Sequence, residues 1–284
     1  MALVAGILYR RRKAPVAGFD RSNHCRQDGV VPVDPGAVVT LRAAGPSDSR
    51  QLFRLLAARS CATTGYSSNS VEKAEEEKGA HCLATTTASK RKFFDGIASQ
   101  WDTHNGPCDA AERQALFVQL ATGHRPMRIL DIGCGTGVMV PHLRHYCPEA
   151  MIVEMDFSSE MLAVNRRKHG DRQIEYCCQD LVHTRLPEAS FDSVLFFNAL
   201  PHFESLERAL HKSVSLLKQG GRIAVGHLMG STELNAFHAL VDGPVAHDRL
   251  PTAEQLADAL NRTGLALLQV EERPNWYFVM AEKP

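Results

Sequence analysis

From about residue 88 to the C-terminus, short apolar runs alternate with segments whose apolar residues recur every three or four positions. Arg128–Gly133 (RILDIG), Met151–Phe157, Gln173–Asp180, Phe191–Leu200 and Arg222–Leu228 are runs of strand length. Between them the spacing predicts helices. In Glu204–Leu217 the residues Leu206, Ala209, Leu210, Val214 and Leu217 fall on one face, and Gln219-Gly220-Gly221 is expected to stop the helix. Thr252 with Gln255 three residues on forms a capping box, and Gly264 is expected to end that helix. Strands separated by helices pair in parallel through right-handed crossovers. The tail breaks the rhythm: Leu265–Arg273, a Pro274-Asn275 turn and Trp276–Lys283 read as a hairpin. The pattern predicts a five-strand α/β unit that ends in an antiparallel hairpin.

The first 87 residues do not share this rhythm. Residues 1–70 hold ten Lys/Arg and four Asp/Glu, a net of +6, although the whole chain of 284 residues balances 32 basic against 32 acidic side chains. An apolar start is followed by Arg10-Arg11-Arg12-Lys13, and no acidic residue lies between Arg50 and Val71. Arg-rich, acid-poor N-termini resemble mitochondrial or plastid transit peptides, and a featureless extension on a cytoplasmic protein is the alternative. Residues 71–82 look like a charged linker. The expected organisation is an extension over 1–87 and a domain over 88–284 of an intracellular protein. Zero net charge argues against a dedicated nucleic-acid binder. No apolar run reaches the roughly 18–20 residues a membrane span needs. Eight scattered cysteines without a C-x-x-C predict reduced thiols. His142, His145 and Cys147 form the tightest group with metal-ligating chemistry, but their spacing fits surface polar residues better, so no metal is expected.

The strongest local signal is Ile129-Leu130-Asp131-Ile132-Gly133-Cys134-Gly135-Thr136-Gly137. A strand runs into three alternating glycines, which let a ligand approach the backbone, and a helix N-terminus is expected from about Val138. The dinucleotide fingerprint G-x-G-x-x-G would place its third glycine one residue later. Asp131 at the strand end would repel a pyrophosphate but could hold a cationic amine, so the loop favours a zwitterionic nucleoside ligand. About twenty residues on, Asp156 can accept from ribose hydroxyls, with Phe157 beside it. Glu154, two residues earlier on the same side of that strand, competes for the assignment. Asp180 could accept from an adenine amino group, with Leu181 packing on the ring. In α/β sheets such ligands gather at the carboxyl ends of the strands.

Taken together, D-I-G-C-G-T-G, E-M-D-F-S-S-E-M-L, Q-D-L…L-P-E-A-S-F-D and L-L-K-Q-G-G-R-I-A resemble, in order and spacing, the successive motifs of class I S-adenosylmethionine-dependent methyltransferases. Phe93–Asp102 (FFDGIASQWD) is similar to the segment that precedes the core in the ubiquinone/menaquinone-biosynthesis type. The resemblance covers roughly residues 88–284. It implies a Rossmann-like, mostly parallel seven-strand sheet with a C-terminal antiparallel hairpin and helices on both faces. It also implies S-adenosylmethionine as cofactor, with Asp131, Gly133, Gly135 and Gly137 along its methionine part, Asp156 at ribose and Asp180 at adenine. Cys134, Phe157, Leu181 and Asn198 complete the expected cofactor contacts.

The substrate side is thinner. Asn198, Pro201, His202 and Phe203 follow the fourth apolar run, without the N-P-P-Y/F pattern of amino-group methylation on nucleic-acid bases. His227 follows the fifth, with Glu233, Asn235 and His238 beyond it. A histidine near neutrality can act as a base, which makes His227 and then His202 the catalytic candidates. The expected partner is a small-molecule acceptor. A protein side-chain methyltransferase and a non-catalytic cofactor-binding assembly factor are the alternatives, and a nicotinamide oxidoreductase is the outsider. Neither the acceptor nor the oligomeric state is legible.

Overall fold

The computed structural model describes residues 87–103 and 109–284. The expected transit peptide and charged linker lie outside the described residues. Helix α1 (Thr87–Ile97), a 3-10 turn (Ala98–Thr103) and α2 (Ala110–Thr122) precede the sheet. The chain then runs β1 (Arg128–Ile132), α3 (Val140–Tyr146), β2 (Met151–Asp156), α4 (Ser159–His169), β3 (Ile174–Cys178), β4 (Phe191–Phe197), α5 (Leu206–Leu216) and β5 (Leu217–His227). It closes with α6 (Ser231–His238), α7 (Ala253–Arg262), β6 (Ala266–Arg273) and β7 (Trp276–Glu282).

All seven strands form one sheet in the order β3-β2-β1-β4-β5-β7-β6. The first five pair in parallel, while β7 runs antiparallel to β5 and to β6. The expected hairpin therefore inserts its second strand against β5 and leaves its first at the edge. Asn275, at φ +64, makes the turn between them. The alternation of side chains across each strand builds two cores. On one face Leu130, Ile132, Val194, Phe196 and Tyr277 pack with α5 and α7; on the other Ile129, Ile152, Leu195 and Phe278 pack with Phe117 and Val118 of α2. A third cluster around Phe94, Ala98, Met161 and Val245 seats α1 on the rest of the domain.

Helix starts follow the sequence closely. Ser158 and Ser205 cap α4 and α5 through their hydroxyls, and the capping box of Thr252 and Gln255 is complete. Helix ends do so less well. The helix ends at Leu216, before the glycines, because Leu217 turns extended while its N–H still donates to Ser213 O; Gly220 and Gly221 lie inside β5. His142 and Cys147, expected at the surface, are buried where α3 packs against the sheet. No helix among the described residues is long and apolar enough to cross a membrane.

Candidate active site

Strand β1 delivers the chain into the glycine loop at the centre of the carboxyl edge, where β1 lies between β2 and β4. All three glycines have positive φ: +67 at Gly133, +54 at Gly135 and +81 at Gly137. The space around them differs. A Cβ on Gly133 would fall 2.5 Å from the Cβ of Ala199, and one on Gly137 would fall 2.3 Å from Oδ1 of Asn165. On Gly135 it would meet nothing within 4 Å. Gly133 and Gly137 are thus needed for packing, while Gly135 fronts open space. That space is a cavity of about 600 Å³.

Gly133, Cys134, Gly135, Asp156 and Phe157 line one end of the cavity, with Asp180, Leu181 and Asn198 beside them. Asp131 and Gly137 are not in the lining; both are buried. Asp156 braces the loop directly, with Oδ2 accepting from Gly135 N at 2.9 Å and Oδ1 from Ser158 N at 2.8 Å. Glu154 is fully buried under it and accepts from Asn165 Nδ2 at 2.7 Å, so of the two acids only Asp156 reaches the cavity. Strand β3 stops at Cys178, two residues short of Asp180. Asp180 instead caps the following 3-10 turn, with Oδ1 accepting from Val182 N at 2.8 Å. Asn198, at φ +54, spends its Oδ1 on Leu228 N and so ties the end of β4 to the end of β5.

The loop rests on a cluster of three buried carboxyl groups. Asp131 and Glu154 are register partners on adjacent strands, and Asp156 is two residues further on. Burial, then the charges of Glu154 and Asp156, push the Asp131 carboxyl well above its usual range. Burial lifts Glu154 to about 7 despite the hydrogen bond from Asn165. It lifts Asp156 to about 6, against the N–H bonds from Ser158 and Gly135. Oδ2 of Asp131 has no hydrogen-bond partner among the described residues. A cation above such a cluster would be stabilised as it drew the carboxyl groups into their ionised form, whereas a phosphate would oppose that ionisation. The thiol of Cys134, buried beside the same carboxylates, is pushed far up and stays protonated.

His202, His227 and His238 line the same cavity. His227 Nδ1 lies 3.2 Å from the N–H of Met229. A backbone N–H only donates, so this nitrogen accepts and the ring proton sits on Nε2. Burial, reinforced by His202 and His238, holds His227 at about 3. Both facts oppose the expected role of His227 as a base near neutrality. His202 has the reverse arrangement: its Nδ1 lies 2.7 Å from Oδ2 of Asp248 and donates to it, so in the neutral ring Nε2 carries the lone pair. Burial alone would raise Asp248, but the bonds and charges of His202 and Lys90 keep its carboxyl below the usual range. Lys90 of α1 is buried and completes the group, with Nζ 2.5 Å from Asp248 Oδ1 and 2.9 Å from His202 O.

The same N-terminal segment roofs the cavity along its length. Thr87 donates to Glu204, Asp95 accepts from Ser158 Oγ at 2.6 Å, and Asp102 accepts from Thr136 Oγ1 at 2.7 Å and from Lys168 at 3.0 Å. Sequence reasoning missed Lys90 and Asp248. Lys90 stands in a run of three basic residues that reads as a solvated face, and Asp248 lies in an irregular stretch with no motif.

Residues 130–225 match the family described as a methyltransferase domain, and the sheet is the Rossmann-like arrangement with its C-terminal hairpin. Among curated relatives, the demethylmenaquinone methyltransferase of Thermus thermophilus is 36% identical over 110 residues, which cover 38% of this chain and 50% of the relative. The demethylmenaquinone methyltransferase of Deinococcus radiodurans is 28% identical over 202 residues, 61% of this chain and 83% of the relative. The chain thus spans half the length of the first of these. Among solved structures the cyclase SpnF superposes with a TM-score of 0.57 at 18% identity, over 71% of this chain and 97% of that one. At that identity the likeness shows the fold alone, and the reaction has to be argued from the site.

Proposed function

We propose that residues 88–284 form a methyltransferase unit that binds S-adenosylmethionine at the glycine loop and methylates a small-molecule acceptor, with His202 taking the acceptor's proton. One observation carries the reading: a single cavity joins a carboxylate-backed glycine loop to a histidine–aspartate pair. The residues fit the donor. Gly135 leaves room against the backbone, Asp156 stands at the cavity wall for ribose hydroxyls, and the buried acids favour a sulfonium and an ammonium over a pyrophosphate. S-Adenosylmethionine, when bound, supplies an electrophilic methyl group whose C–S bond breaks as the acceptor atom bonds to carbon, the electron pair remaining on sulfur.

The chain's own work is alignment and proton removal. Nε2 of His202 takes the proton, Asp248 stabilises the resulting imidazolium, and Lys90 holds Asp248 in place. His227, with its proton on Nε2, donates to the acceptor instead of accepting from it. Both curated relatives are named for a small acceptor, demethylmenaquinone, and α1 closes over the chamber, which supports a small molecule over a protein side chain. Calorimetry with S-adenosylhomocysteine and with NAD(H) tests the donor assignment: the first should bind and the second should not. Binding of NAD(H) alone would overturn it. Label transfer from S-adenosylmethionine to a component of a small-molecule extract then tests the acceptor class.

A further inference from the structure

Asp248 anchors two histidines from different elements. Its carboxylate holds Nδ1 of His202 at 2.7 Å, and its main-chain oxygen lies 2.9 Å from Nδ1 of His238, the last residue of α6. Carboxylate and carbonyl oxygens only accept, so both neutral rings carry their proton on Nδ1 and both turn a bare Nε2 away from Asp248. The two rings lie 5.8 Å apart between centroids, tilted by 42°. With the Nε2–H of His227, the chamber presents two lone pairs and one donor. Removing one proton requires only the first lone pair. The second has no other partner among the described residues, and it belongs to a residue that is only 5% exposed.

We propose that the methyl acceptor is an uncharged molecule with two hydroxyl groups on a flat apolar frame, one methylated after losing its proton to His202 and the other hydrogen-bonded to Nε2 of His238. This rests on the methyl-transfer reading above. The walls are aromatic and aliphatic: Phe94 stands edge-on to His202 at 5.2 Å, and Phe203, Leu234 and Phe237 line the same space. The buried charges of Lys90 and Asp248 neutralise each other, while Glu204 and Arg208 lie at the exposed rim. An anionic acceptor would meet two imidazole lone pairs, and a thiol would use neither well.

Histidine nitrogen spectra of the full chain test the placement of protons without any substrate. His202 and His238 should be Nδ1–H tautomers and His227 an Nε2–H tautomer. In Asp248→Asn an amide can donate to His202 and should move its proton to Nε2, while His238, held by the main chain, should stay as it is. Labelled S-adenosylmethionine offered with 1,2- and 1,3-dihydroxybenzene, phenol, thiophenol and benzoate tests the acceptor. A dihydroxybenzene should exceed phenol by about tenfold in kcat/KM, the worth of one hydrogen bond. His238→Asn retains a donor for the Asp248 carbonyl but lacks the atom at Nε2, and should erase that preference. An Nε2–H tautomer at His238, preference for thiophenol or benzoate, or transfer to none of these acceptors overturns the proposal. Loss of S-adenosylhomocysteine binding in the wild-type chain would instead overturn the methyl-transfer reading itself.

Discussion

Gly135→Ala and Gly137→Ala add the same methyl group two residues apart in one loop, and the structure assigns them opposite effects. Both positions have positive φ, which costs an L-residue about 1–2 kcal/mol. At Gly137 the new Cβ would also lie 2.3 Å from Oδ1 and 2.5 Å from Cγ of Asn165. Asn165 is completely buried and has no room to retreat without breaking its 2.7 Å bond to Glu154. A buried carboxylate that loses its donor costs about 1.5–3 kcal/mol more. Gly137→Ala should therefore lose about 2.5–5 kcal/mol, a large part of the roughly 5–15 kcal/mol that holds a domain together. Gly135→Ala should lose only the backbone cost, because its Cβ would enter empty cavity. There it occupies the place proposed for the donor, and overpacking of about 1–3 kcal/mol corresponds to a roughly five- to 150-fold weaker complex. Urea unfolding followed by tryptophan fluorescence reads the stability, and calorimetry with S-adenosylhomocysteine reads the binding. Wild-type affinity in Gly135→Ala, or a Gly137→Ala chain as stable as Gly135→Ala, would refute this division of the loop.

Three further expectations concern charge and extent. Glu154 is held at about 7 in the folded chain against 4.5 in the open one, so the folded state retains a proton that the unfolded state releases. Stability should fall as pH rises across that window, and Glu154→Gln should flatten the profile of melting temperature against pH. His202→Gln should lower turnover by roughly 10²–10⁴-fold, the size of a general-base contribution, with donor binding unchanged. His227→Ala should lose less than His202→Gln and mainly through KM; the reverse order in steady-state kinetics would restore His227 as the base. A chain that starts at Thr87 should unfold in one cooperative step and bind S-adenosylhomocysteine like the full chain, since the described residues contain their own cores.

The order of elements is written locally. Strands of a buried parallel sheet must be continuously apolar, so β1, β2, β4 and β5 stand out from the helices between them. Helix starts are legible for the same kind of reason, because a serine or threonine hydroxyl caps the N–H groups two or three residues away. The glycine loop and Asp156 were legible because backbone conformation and charge at a strand end are properties of a short stretch. Where α5 gives way to β5 was not legible. The glycines look like a stop signal, but pairing of Leu217 with Phe191 begins the strand earlier than they suggest.

The sequence by itself determined the α/β class, the strand-helix order, the hairpin, the glycine loop and the set of histidines from which the proposed base is drawn. Only the tertiary structure gives those histidines different surroundings. His227 and His202 look alike along the chain, since each is a histidine at or just past the end of a strand. What separates them is the partner of Nδ1: a backbone N–H two residues away for His227, and a carboxylate 46 residues away for His202. The packing of Lys90, 112 residues before His202, against that carboxylate is equally remote. A tautomer is set by the atom a ring nitrogen touches, and contacts across such distances exist only once the sheet, the cap helix and the irregular segment around Asp248 have come together.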